Sequence, residues 1–423
     1  MLNSLPCHRF IAMRLVFGII GVIALPTAAF AQWTQWGGPT RDFKADGVKL
    51  ADKWPEGGPK KLWSRELGEG YSAILADEGL LYTMYHKGDR DFVIAMKAED
   101  GKTKWEYDYE NIPQKGQVLD FGKGPNATPL IIGKSIYTIS FTGKMFQINR
   151  ASGQSGWMKD LVGEYGAKVQ EFGYSAAPIQ YGKNIIVLIG GTETGVVAFN
   201  AGSGKVEWKS PPFDISYASP IQITVDGEDQ IIFMTSTEVV GISAKDGTFR
   251  WKHEHANQYK NNCFMPLWDA GRKLLFVTSH TDGGTRVLKI GKNKDAWKAD
   301  EVWYEKKTKI FHSTGVLVGD TVYGSLGDQP PTFLAAVNIL TGETKWKERG
   351  FPKGNVIHAD GKLIILDEDG QLALAKVSPD KCEIISKVQL LEKVAWTVPT
   401  LVKGKLYVRD MKKIMALDVG AGM

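Results

Sequence analysis

The sequence predicts an all-β chain, an eight-bladed β-propeller of four-stranded antiparallel blades whose ring is closed by an N-terminal strand. Three observations predict it: a Gly-to-Trp spacing that recurs without a gap, a second strand-turn-strand piece upstream of it, and a last repeat short of one strand. The spacing appears in AMKAEDGKTKW ending at Trp105, QINRASGQSGW at Trp157, AFNAGSGKVEW at Trp208, GISAKDGTFRW at Trp251 and AVNILTGETKW at Trp346. Gly101, Gly153, Gly204, Gly247 and Gly342 each stand four residues before the Trp and follow Asp, Ser or Thr. A small polar residue plus glycine between apolar runs marks a hairpin, because glycine reaches the positive φ such turns need. The upstream piece recurs as NATPLIIGKSIYTIS, YSAAPIQYGKNIIVLIG and VPTLVKGKLYVRD, with turns at Gly133, Gly182 and Gly404. Together the two pieces make four antiparallel strands per unit of about 40–50 residues, the period of a propeller blade.

The first 31 residues read as a leader rather than as fold. Arg9 and Arg14 precede an apolar run from Leu15 to Leu25, and PTAAFA ends at Ala31. A basic start, a short apolar stretch and small residues at the cut describe a cleaved signal peptide, residues 1–31. The run rises only about 16 Å, too little to span a bilayer. Either Met1 or Met13 serves as a start, since a complete signal follows Met13. No cysteine stands at the predicted cut to carry a lipid. The expected location is the periplasm or the exterior, with no transmembrane span in the mature chain.

Residues 32–57 are then a lead-in and residues 58–423 the propeller. Blades with their own tryptophan end at Trp105, Trp157, Trp208, Trp251, Trp303 and Trp346. The fifth is irregular, with an insertion around GKNKDAWKADEVW, and the seventh replaces its Trp with an aliphatic strand. The eighth begins near Trp396 and supplies three strands before the chain stops; KKLWSREL, carrying Trp63, supplies the fourth. Closure in this way removes both sheet edges. The seven blade tryptophans are expected to be structural plates between neighbouring blades. Residues 32–50 lie ahead of the closing strand, and their deletion is expected to be mild.

Composition narrows the function. The formal charge of the 423 residues is +5, Arg9 and Arg14 leave with the leader, and no basic run stands out, so nucleic-acid binding has no electrostatic footprint. Removing the leader removes Cys7, leaving Cys263 and Cys382 in non-neighbouring repeats, too far apart for a disulfide. Their role stays open.

The repeat resembles that of the pyrroloquinoline quinone (PQQ) propeller superfamily, A-x-(D/N)-x-x-(T/S/D)-G-x-x-x-W, and Ala198 to Trp208 and Ala336 to Trp346 are the nearest copies. QWTQWGGPTRDF, Gln32 to Phe43, is similar to the lead-in of exported bacterial members. The resemblance implies two branches. One holds quinoprotein alcohol or sugar dehydrogenases carrying PQQ and calcium, which use adjacent cysteines, carboxylate and amide ligands and an Asp base. This chain has no Cys-Cys pair, and none of those ligands matches residue by residue. The other branch holds non-catalytic propellers of the BamB type, which carry a lipid on an N-terminal cysteine that is missing at Gln32. Fold alone does not choose between them.

The one concavity a closed propeller must have is the funnel at its axis. Counting back from the glycine turns places Ser72, Asn126, Ser175, Tyr217, Cys263, His312, Asn355 and Trp396 around it. That ring has hydroxyls, amides, an imidazole and aromatics but no carboxylate, which suits a neutral polar ligand or peptide better than a divalent cation. The plainer alternative is an axis merely filled by these side chains and water. His253 and His255 sit two apart at a strand end, where a solvated edge is expected, and DEDG at Asp367 to Gly370 reads as a hairpin turn rather than a calcium loop. The expectation is a monomeric exported scaffold without cofactor or metal, binding an envelope protein, peptide or glycan. The alternatives are a PQQ-dependent dehydrogenase, which would reduce a dye with PQQ and calcium, and a lectin-like module.

Overall fold

The computed structural model describes residue 1 and residues 32–327 and 330–422, so the proposed leader lies outside the described residues. Eight separate four-stranded antiparallel sheets are found among them, with one short helix, Leu161–Tyr165. Seven blades take their strands in chain order, over residues 75–110, 130–160, 179–209, 221–254, 267–305, 315–349 and 355–389. The eighth joins residues 400–418 to Lys60–Glu66, which pairs antiparallel with Lys413–Asp418. The ring is an eight-bladed β-propeller closed by its first strand.

Burial follows from position in the blade. Third strands such as Phe333–Asn338 sit between neighbouring blades on both faces and are apolar almost throughout. Outermost strands such as Thr344–Arg349 have solvent beyond them and alternate.

The Gly-x-x-x-Trp spacing has a cause that does not lie within one blade. A Cβ on Gly101 would lie 2.7 Å from the ring of Trp63, and Gly153, Gly204, Gly247 and Gly342 meet Trp105, Trp157, Trp208 and Trp303 in the same way. Each tryptophan therefore lies on the hairpin glycine of the next blade. In four of the five the indole N–H donates to the carbonyl three residues before that glycine: Trp63 to Ala98, Trp105 to Arg150, Trp157 to Ala201, Trp303 to Ile339; the Trp208 indole N–H is buried without a partner. Glycine is required twice over here, by φ of 67–75° and by the indole. Where the fifth blade extends its hairpin to Thr285–Asn293 and Ala296–Glu305, no such glycine exists. Trp251 then seats on Gly241 of its own blade and donates to Gln230 Oε1 at 2.8 Å. Five of these plates are partly buried; among the seven, only Trp105 and Trp251 are fully so.

The lead-in packs more closely than an expected mild effect of deleting residues 32–50 suggests. Trp33, Phe43, Val48, Leu50 and Trp54 are all buried. Trp33 bridges Ala76 of the first blade, Ala45 N donates to His358 O of the seventh, and Leu50 bridges Gly420 beside the eighth. The segment also reaches the opposite blades, where Thr34 O accepts from Ile131 N of the second and Arg41 donates to Ala177 O and Pro220 O at the entries of the third and fourth. Repeat counting could not reveal this, because its partners are scattered over the chain.

The solvated edge expected at His253 and His255 is also corrected. His253 is partly exposed, but His255 is fully buried with both ring nitrogens unpartnered. Burial pushes its pKa down to about 3, helped by Arg286 and His253, so it is neutral at pH 7. The DEDG segment is a turn, in which Asp367 Oδ1 accepts from the backbone of Asp369 and Gln371.

Candidate functional site

Residues entering the innermost strands converge on a funnel of about 490 Å³. Asn126, Ser175, Tyr217, Cys263, His312, Asn355 and Trp396 line it. Ser72 does not: it is fully buried with its hydroxyl unpartnered, and Tyr71 lines the cavity at the first blade. Trp36 and Phe43 of the lead-in also line the funnel, in edge-to-face contact at 5.4 Å.

Two kinds of residue were beyond repeat counting. Connections between blades are not uniformly short: residues 111–129 and 161–178 are long enough to carry Phe121 and Phe172 over the mouth. His280, Phe311 and Lys353 come from turns near the axis. With them the aromatic groups form an arc. Its ring centroids run Tyr217 to Phe172 at 5.9 Å, Phe172 to Phe121 at 6.2 Å, and Phe121 to Trp396 at 5.6 Å. From Trp396 the arc continues to His312 at 6.1 Å, Phe311 at a further 3.8 Å, His280 at 3.9 Å and Tyr259 at 5.1 Å. Tyr71 stacks on Trp396 at 5.3 Å. Such faces take up flat or apolar groups by stacking.

The polar groups mostly hold the arc in place. Asn355 Nδ2 donates to Trp396 O at 2.8 Å and its Oδ1 accepts from Thr314 N at 3.1 Å. Ser175 donates to Tyr217 O at 2.9 Å, and Asn126 Nδ2 to Phe172 O at 2.7 Å. The Tyr71 hydroxyl donates to Phe121 O. Asn126 Oδ1 keeps an unused acceptor. Behind the wall, Glu368 accepts from the Trp396 indole at 3.0 Å and from Lys353 at 2.8 Å, while Lys353 lies 4.7 Å above the Trp396 ring. Burial alone would raise the Glu368 carboxyl, but the bonds from Lys353 and Trp396 hold it below its ordinary range.

Enclosure shifts several titratable side chains of the wall. Burial pushes the Cys263 thiol up to about 12, and Tyr71 and Tyr217 also to about 12. Solvent reaches the His312 ring, yet enclosure by the throat, with Lys353 and His280 nearby, drives its pKa well down. None of these four groups titrates near neutrality, where a general acid or base must. Among the described residues no three His, Cys, Asp or Glu gather as a metal site, and no helix is long and apolar enough to cross a membrane.

Comparison with known proteins agrees with this architecture. The quinoprotein alcohol dehydrogenase PedH of Pseudomonas putida is 22% identical over 221 residues, which is 50% of this chain and 31% of that enzyme. This chain therefore matches about a third of the length of that curated relative. Among solved structures, BamB from Moraxella catarrhalis superposes with a TM-score of 0.58 at 15% identity, covering 85% of this chain and 99% of that one. The quinohemoprotein alcohol dehydrogenase of Comamonas testosteroni gives 0.65 at 13% identity, covering 93% and 81%. At these identities the likeness is one of fold. The family described as outer membrane protein assembly factor BamB matches residues 54–211 and 116–348, more than half of the chain. With repeats of that pattern closed into eight blades, the chain belongs to this family of PQQ-like β-propellers.

Proposed function

We propose that the chain is an exported, non-catalytic scaffold of the cell envelope that binds a protein segment in its funnel. The observation that carries this reading is the aromatic arc, two of whose members, Phe121 and Tyr259, are exposed. Exposed aromatic groups at a concave mouth mark an interaction surface, and aromatic anchors dominate such surfaces. An extended peptide carrying aromatic or proline side chains is the occupant that stacking walls favour. The family match supports protein partners and an envelope location.

Relatedness to quinoprotein dehydrogenases favours a second reading, PQQ held with calcium. The donor set weighs against it. Calcium takes about 6–8 oxygen ligands, carboxylates prominent among them. The funnel lining offers the amides of Asn126, Asn261 and Asn355 and several hydroxyls, but no carboxylate. The Asn355 amide is already spent within the wall, and Cys263 has no cysteine neighbour. These residues do not fit the metal-held cofactor.

The test pairs two measurements on purified protein. Partner capture from envelope extract is run with the parent and with Phe121→Ala and Trp396→Ala; a specific partner should be retained by the parent and reduced at least about tenfold by each variant. The parent is also mixed with PQQ and calcium, and its absorption and dye reduction on alcohols and aldoses recorded. Stoichiometric PQQ retention with turnover would overturn the scaffold reading, and so would a partner that ignores both substitutions. A glycan array separates a lectin from a protein scaffold.

A further inference from the structure

A second cavity lies at the other end of the axial channel, and its wall holds a buried cation without a counter-ion. Residues further along the innermost strands of blades two to six, such as Ile131, Gln180, Gln222 and Trp268, face the lead-in loop across about 600 Å³. Arg41 enters this wall from the loop and is only 7% exposed. Its guanidinium donates to the carbonyls of Pro220 at 2.7 Å, Ala177 at 3.1 Å and Pro178 at 3.3 Å. A guanidinium carries five N–H groups, so two remain, and carbonyls supply no negative charge.

No carboxylate among the described residues pairs with Arg41, and burial alone pushes its pKa down, to about 9. The neighbouring Asp42 is spent on the Thr40 hydroxyl at 2.6 Å, Lys44 N at 3.2 Å and Lys44 Nζ at 3.1 Å. Arg41 also sits at φ 59° and Phe43 at φ 60°, a region that side-chain-bearing residues rarely adopt. The other fully buried guanidinium, Arg409, bonds Gly68 O, Met84 O, Ser72 O and the Thr83 hydroxyl, has Asp410 beside it, and lines neither cavity. Asp410 supports the charge of Arg409, and no carboxylate does so for Arg41. A buried charge left unpaired is expensive, and an anion supplied from outside is the direct remedy.

We propose that this cavity binds a hydroxylated oxyanion, a sugar acid or sugar phosphate, whose carboxylate or phosphate meets the remaining N–H groups of Arg41. The rest of the lining has the chemistry for the body of such a ligand. Gln35, Gln180 and Gln222 offer amide donors and acceptors to hydroxyls. Trp268 adds a flat wall and an indole N–H that is buried without a partner. The volume lies within the roughly 300–1,000 Å³ of small-molecule sites. This inference rests on nothing in the funnel.

The test is calorimetric titration of the intact protein at low ionic strength with glucuronate, glucose 6-phosphate, inorganic phosphate and glucose. At least one of the two charged sugars should bind with one-to-one stoichiometry, and glucose at least about tenfold more weakly, since a bond to a charged group is worth about 1.5–3 kcal/mol. Which charged sugar is tighter distinguishes carboxylate from phosphate. Arg41→Gln should lose the binding. Gln222→Trp, which fills the cavity and leaves Arg41 in place, should lose it too without lowering the melting temperature. No saturable heat from either charged sugar overturns the proposal. So does inorganic phosphate bound as tightly as glucose 6-phosphate, or unchanged affinity in Gln222→Trp.

Discussion

Trp157 and Gly204 belong to successive repeats and meet across a blade boundary, which makes their energies inseparable. Gly182 has φ 57° with open space around its missing Cβ, whereas Gly204 has φ 67° and the Trp157 ring 2.7 Å away. Gly182→Ala should therefore cost about 1–2 kcal/mol from backbone conformation alone, and Gly204→Ala about 1–3 kcal/mol more from overpacking. In a Trp157→Ala background the extra cost should vanish, a coupling that urea denaturation of the four proteins measures directly. Equal costs for the two glycines would mean that the indole is no constraint. His255 makes a second prediction at this scale. Its pKa falls from 6.5 unfolded to about 3 folded, so the folded chain resists a proton that the unfolded chain accepts. Its contribution is whole above about pH 6.5 and shrinks as pH falls toward the folded value. Between about pH 7 and about pH 5 the parent should lose about 2 kcal/mol more than His255→Leu. Parallel stability curves for the two proteins would show that His255 does not titrate as its burial requires.

Lys60–Glu66 and the lead-in before it protect different parts of the molecule, and truncation separates them. Deleting residues 32–66 unpairs the edge strand Lys413–Asp418, and an open edge recruits other chains. Sedimentation should then show oligomers or aggregate. Deleting residues 32–50 keeps that strand paired but strips Trp33, Phe43 and Leu50 from the axis. That chain should remain monomeric, melt several degrees lower and bind a hydrophobic dye at the opened channel. A 32–50 deletion that melts like the parent would mean the lead-in packs too loosely to matter. The closing strand was legible because KKLWSREL supplies the strand that the last repeat lacks. The lead-in was not legible, because Trp33, Phe43 and Leu50 meet residues 76, 358 and 420, which no local pattern connects to them. The funnel is intermediate. Asn126 and Ser175 stand at fixed offsets from Gly133 and Gly182, so counting reaches the wall. Tyr71 replaces Ser72 by a one-residue shift, and Phe121 and Phe172 ride on connections that carry no repeat register.

Taken over the described residues, the molecule is held by closure and blade contact, without a disulfide among them. Cys263 at the funnel wall and Cys382 in the outer strand of the seventh blade are both free. The melting temperature should be the same with and without dithiothreitol, and a drop of several degrees on reduction would reveal a disulfide. The ring also explains why two cavities share one axis. The innermost strands run from the funnel to the far side, so one set of strands presents its entering residues to one site and its later residues to the other. The lead-in loop lies between, with Trp36 and Phe43 facing the funnel and Arg41 the second cavity.

The seating of five of the seven indoles on the following blade's glycine also bears on how such a ring is inherited. A duplicated repeat brings its own glycine and tryptophan, but each is useful only to a different neighbour, so a copy is compatible at one joint before it is compatible at both. Decay has a direction too: loss of a glycine is felt by the repeat upstream. The fifth blade has no such glycine, and it is the fourth blade's Trp251 that has turned back onto its own sheet.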